Sequence, residues 1–284
     1  MVDSLLKDSA TDAVDLLRSH FVGHLNEVSI PDEKERKLAD FLTAEGVLST
    51  MGDSYRMAST YIDSFVRRYI IPAKYPHYPS SLAPRIYPNG PLDVLDILQL
   101  TISSFDKNLI RRAPRQSYKN SGQIEVGGNS KVDIPRESVY DTELSRILTS
   151  WLSKEERYEI TCQCHLRELD NHKYSDIVIR KKDKPTIVLE LLATGDQSTV
   201  RNHIKRTDNY RRLLEANEAW VVHFTCEDNY LQHPYWQSDA ELDEGINMVH
   251  FWHDLCFENV RMSARWKDSN GDVHENDDRV VCSA

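Results

Sequence analysis

One stretch constrains this chain more than any other: Ile187-Val188-Leu189-Glu190-Leu191-Leu192-Ala193, an apolar run broken by a single acid. A continuous apolar run, with no alternation, is the pattern of a strand buried on both faces. Such a strand needs a layer on each side, which the flanking segments can supply. Residues 138–152 place Tyr140, Leu144, Ile147, Leu148 and Trp151 along one helical stripe. Residues 158–166 alternate apolar and polar with period two, which predicts a strand. Residues 174–179 and 186–192 read as two further strands, joined by the charged turn 180–185. After Gly195, Ser198 or Thr199 can cap a basic helix that leads to a strand at 220–224. The order is α-β-β-β-α-β, with more strands near 247–252 and 259–266. A strand, crossover helix and strand form a right-handed parallel unit. The fold class is α/β.

The hairpin register points to chemistry. If the turn centres on Asp183, Asp176 and Glu190 are equally distant from it and face each other. Cross-strand Cβ atoms lie about 5 Å apart. Two carboxylates so close raise each other's pKa unless a cation lies between them. Burying ionised Glu190 in an apolar strand costs several kcal/mol unless it is paired or metal-bound. Hard oxygen ligands favour Mg²⁺ or Mn²⁺, held by Asp176 and Glu190. The other reading is a buried salt bridge from Glu190 to Arg206 or Lys205. On the helix after Gly195, His203, Arg206 and Tyr210 share one side while Lys205 points elsewhere.

Residues 1–90 read as a helical domain with one small hairpin. Asp32-Glu33 opens a helix that buries Leu38, Phe41 and Leu42 and stops at Gly46. Two short strands flank Met51-Gly52-Asp53, and a helix with Tyr61, Ile62, Phe65, Val66 and Tyr69 ends before Pro72. Helix, wing, helix is the tail of a winged-helix domain. Arg67-Arg68 reads as a solvated face. Residues 91–134 hold a long helix, running from Leu95 to about Arg112, and a polar linker at 114–133. Residues 127–131 in that linker lack the Walker spacing of a phosphate loop. The third unit is 135–284.

The net charge of −10 repels nucleic acid at long range, so any contact needs a local basic face. The N-terminus lacks the apolar region of a secretory signal, and no apolar run approaches a bilayer span. Five scattered cysteines read as free thiols of a reducing compartment, cytosol or nucleus. A transported effector without a recognisable signal is the alternative. Cys162 and Cys164, with His165 and His172 nearby, read as core packing on the apolar strand face, not as a zinc site. His223, His250 and His253 read as satisfied histidines, with no Ser–His–Asp order.

The α-β-β-β-α-β order, with an acid opening the second strand and another in the third, resembles the PD-(D/E)XK restriction-endonuclease fold. More narrowly, residues 134–141, 174–179, 187–194 and 260–266 resemble the C-terminal part of crinkler-type proteins. The winged-helix-like part is similar to the end of the P-loop ATPase module that often precedes such a domain, without its nucleotide-binding portion. The resemblance implies a Mg²⁺- or Mn²⁺-dependent DNA endonuclease, an effector among its members. Asp176 and Glu190 match its metal-binding pair, and Glu143 matches its first-helix acid. Leu192 stands where the family places a lysine. A cation to activate water must then come from Lys205 or Arg206. The alternative is an inactive nuclease-fold module that binds nucleic acid or regulates a separate ATPase part.

Overall fold

The run around Glu190 becomes β6 (Ile187–Ala193), an interior strand buried at every residue. It pairs in parallel with β7 (Glu218–Thr225) and antiparallel with β5 (Asn171–Arg180). Beyond β5 lies the edge strand β4 (Glu159–Glu168). Beyond β7 come β8 (Ile246–His253), β9 (Val260–Lys267) and β10 (Val273–Cys282). The seven strands run β10-β9-β8-β7-β6-β5-β4. All expected strands are present, and β10 is additional. The computed structural model describes residues 1–284 except 25, 80, 88–89, 117–120, 122–123, 169–170, 229, 231–232, 269 and 284. Only the backbone is described at 115–116, 155, 165–168 and 171–174, so the side chains of His165 and His172 lie outside the described residues.

Both faces of β6 are covered, as its apolar run requires. Leu189 and Leu191 pack on one side with Leu144 and Trp151 of α8 (Glu137–Glu155). Val188 and Leu192 pack on the other side with Val200 and Ile204 of α9 (Gln197–Leu213). The cap of α9 is Asp196, which accepts from the Thr199 N–H at 2.8 Å, and not Ser198 or Thr199. The expected long helix from Leu95 is two, α6 (Val94–Ser103) and α7 (Lys107–Arg112). Asp106 breaks it by capping α7, with its carboxylate accepting from Asn108 and Leu109. A short α10 (Asp239–Asp243) precedes β8.

The N-terminal helices gather on the far side of α8. They are α1 (Val2–Leu6), α2 (Thr11–Leu16), α3 (Glu33–Ala44), α4 (Thr60–Phe65) and α5 (Ile71–Lys74). The hairpin of β2 (Leu48–Met51) and β3 (Ser54–Met57) gains a third strand, β1 (Val28–Ser29), paired with β3. The helix through Tyr61 does not end before Pro72. A π-helical turn, Val66–Ile70, joins α4 to α5, and Pro72 sits in the first turn of α5. Tyr61 and Tyr69 are exposed. Leu17–Phe21 is a second π turn, following α2. Part of the stretch read as an open linker is packed: Val126 is buried with Ile134 and Cys226. Its Gly127 and Gly128 amides donate to the Asp228 carboxylate at 2.9 and 2.6 Å. Among the described residues no helix is long and apolar enough to cross a membrane.

Candidate functional site

β5 and β6 pair through Ile177↔Leu189, Val178↔Val188 and Ile179↔Ile187, around a turn in which Asp183 is left-handed (φ 60°). Continued by one residue, this register sets Asp176 opposite Glu190, as the sequence predicts. The ladder stops there. The Asp176 carboxylate takes the place of a backbone acceptor, since its Oδ2 accepts the Leu191 N–H at 2.8 Å. On β4, Gln163 is left-handed (φ 51°), which reorients the strand at this point. Its amide donates to Asp176 Oδ1 at 3.3 Å and lies 3.4 Å from Asp141 Oδ2. The same kink separates the two cysteines expected on one face. Cys162 joins the α8-side core and Cys164 packs against the α9-side core.

Glu190 is fully buried (0% exposed). Its Oε1 accepts from Arg206 Nε at 2.7 Å and from Nη2, and His203 Nδ1 lies 3.8 Å away. Its Oε2 is buried with no hydrogen-bond partner. The ion pair is therefore with Arg206; Lys205 is exposed on another side of α9. Burial, then the facing Asp176, push the Glu190 carboxyl well above its usual range, and Arg206 only partly opposes them. Burial likewise raises Asp176, against the Leu191 N–H, Arg206, Arg67 and Gln163.

A cleft of about 800 Å³ opens above this pair, between α4, the start of α8 and α9. Arg67, read from sequence as half of a solvated face, is buried in its wall. It pairs with Asp141 of α8 and lies 3.0 Å from Asp63. Gly23 (φ 71°) makes room for it: a Cβ there would come within 2.3 Å of the guanidinium. Four lining acids, Asp63, Glu137, Asp141 and Asp176, together with Glu190 give five carboxylates. Arg67, Arg136 and Arg206 give three guanidiniums, leaving two negative charges over. Two protons or one divalent cation would balance them.

Glu143, expected to join the pair from the first helix, does not. It is buried on the N-terminal side of α8, accepting from Arg18 at 2.9 Å, from Arg146 at 2.8 and 3.0 Å, and from the Asp106 N–H at 2.9 Å. Burial raises its carboxyl, but Arg146 and Arg18 outweigh that and hold it below the usual range. The α8 acids at the cleft are Glu137 and Asp141. Sequence reasoning missed Asp141, Arg67 and Gln163. The Asp63/Arg67 spacing of four and the polar steps Ser138, Asp141 and Ser145 were the available signals.

The three histidines sit apart in the sheet core. His223 and His250 meet at 3.1 Å, with the Tyr230 hydroxyl 3.3 and 3.2 Å away. His253 contacts the Tyr140 hydroxyl and the Asp254 carbonyl, each at 2.7 Å.

Among the described residues, no group of three or more His, Cys, Asp or Glu side chains is placed to hold a metal ion. That alone does not exclude Mg²⁺, which is usually bound through one or two carboxylates with water and substrate oxygens completing the shell. The unpartnered Glu190 Oε2 beside Asp176 fits such a donor set. Comparison with known protein families, curated proteins and solved structures found no match to this chain.

Proposed function

We propose that this chain is a metal-dependent phosphodiester hydrolase acting on DNA, with a restriction-endonuclease-like core and a winged-helix-like N-terminal part. The observation that carries the reading is the buried Asp176–Glu190 pair, short of positive charge and opening on a cleft walled by arginines. The order α8-β4-β5-β6-α9-β7, with β6 parallel to β7, supports the fold named here. Asp176 and Glu190 would hold Mg²⁺ or Mn²⁺. When bound, such an ion lowers the pKa of a coordinated water and neutralises charge at the phosphorus. Arg206 supplies the cation that the family's lysine would give, because Leu192 is buried against Val200 and Ile204. Arg67 and Arg136 line the cleft, where guanidiniums can hold phosphate oxygens. The resemblance to crinkler-type proteins makes an intracellular effector role part of this proposal.

A second reading has one observation in its favour. Arg206 already closes on Glu190, as it would in a nuclease-fold module that binds nucleic acid without cutting it. Plasmid cleavage separates the two. The enzyme reading expects nicking that requires Mg²⁺ or Mn²⁺ and is abolished by Glu190→Gln and Asp176→Asn in folded variants. Wild-type protein that binds DNA but never cuts it, with either ion from pH 6 to 9, would establish the binding module instead.

A further inference from the structure

A second recess, of about 290 Å³, lies at the start of β7 and shares no lining residue with the cleft. Its walls include the rings of Tyr87, Trp220 and Trp266. His274 stacks on Trp266 at 5.2 Å, which leaves a single ring face for a ligand. Glu218 lines the same recess, beside Trp220. Its Oε1 accepts the Trp220 indole N–H at 2.6 Å, and among the described residues no cation pairs with it. The other charges around it are committed elsewhere. Lys267 donates to Asp243 at 2.8 Å, and Asp268 accepts from its own loop amides and from His274 at 3.0 Å. Asp93 caps α6 and sits 3.5 Å from Arg85 at the rim. Lys184 approaches Gly90, beyond Pro185.

We propose that this recess binds a small organic ammonium group, with Glu218 as its counter-ion and the aromatic rings as its walls. Aromatic faces attract cations through the ring quadrupole, most strongly when desolvated, and quaternary ammonium ligands are recognised in this way. A lone carboxylate among rings selects a cation over a neutral ligand of the same shape. The volume sits at the lower end for ligand pockets, so it suits a head group and not a large molecule.

The pH dependence follows. Burial, then the charge of Asp93, push Glu218 up to about 7. A bound cation favours the ionised form, so affinity rises with pH through neutrality. Tyr87, held up to about 12, stays neutral over this range.

The test uses the full chain, with choline and its uncharged isostere 3,3-dimethylbutanol as probes, followed by tryptophan fluorescence and calorimetry. Choline should bind saturably, about tenfold more tightly at pH 8 than at pH 6, the ratio for a carboxyl that titrates at 7. The isostere should bind more weakly, with no pH dependence. Glu218→Gln should remove the pH dependence and weaken choline binding at pH 8 by at least about tenfold. Equal binding of the two probes, or no saturable choline binding at either pH, overturns the proposal. Those wild-type comparisons decide it even if the variant fails to fold.

Discussion

At the scale of single residues, Glu190 and Arg206 make one unit whose halves are worth little apart. Removing Arg206 leaves a buried carboxylate with two unsatisfied oxygens, which costs about 1–3 kcal/mol. Arg206 keeps 43% of its side-chain surface exposed, so the lower part of that range applies. Arg206→Ala should therefore destabilise the protein, and Arg206→Ala/Glu190→Gln should recover most of the loss in urea unfolding. Equal loss in the single and double variants would mean that the pair is not coupled. This pair was legible in the sequence because a lone acid in a buried strand demands a partner, and helical spacing offers Arg206. Asp176 was legible because a tight turn fixes register. Arg67 and Asp141 were not, since their partners lie 74 residues apart in the chain and no local pattern joins them.

At the scale of elements, α8 behaves unlike the helix its stripe predicts. One face meets the sheet, as expected, but the opposite face is also buried, against arginines of the N-terminal helices. Polar residues there look solvent-facing in sequence because a buried ion pair and an exposed acid have the same local pattern. Glu143 shows the difference. Glu143→Ala should cost about 3–5 kcal/mol, since it strands two buried guanidiniums. Glu143→Gln protein that still folds should keep any metal-dependent cleavage. Loss of cleavage with an intact fold would return Glu143 to the site. The break between α6 and α7 was illegible for a related reason: apolar spacing continues through it, and only the capping role of Asp106 ends the helix.

At the scale of the whole molecule, the interior contains groups that only folding keeps neutral. Burial lowers His250 to about 3 and His253 to about 4. In the unfolded chain both titrate near 6.5. Their stabilisation is complete above that value and is lost as pH falls toward 4, at about 1.4 kcal/mol per pH unit for each. Urea unfolding from pH 7 to 5 should show this acid-side decline, and His250→Gln/His253→Gln should flatten it. An unchanged slope would show that these histidines are not protected from protons. Ion pairs from α8 also tie the N-terminal helices to the sheet, so far-ultraviolet circular dichroism and tryptophan fluorescence should report one shared thermal transition. Two separated transitions would show independent units. The arginines that make these ties, Arg18 and Arg67, each stand second in a π turn. A π turn holds one residue more than the α-helical path beside it. Deleting Val66 would let that helix relax to the α form and rotate Arg67 off Asp141. A substitution elsewhere in that turn keeps the register of this tie, but a gap of one codon at Val66 would break the Arg67–Asp141 pair.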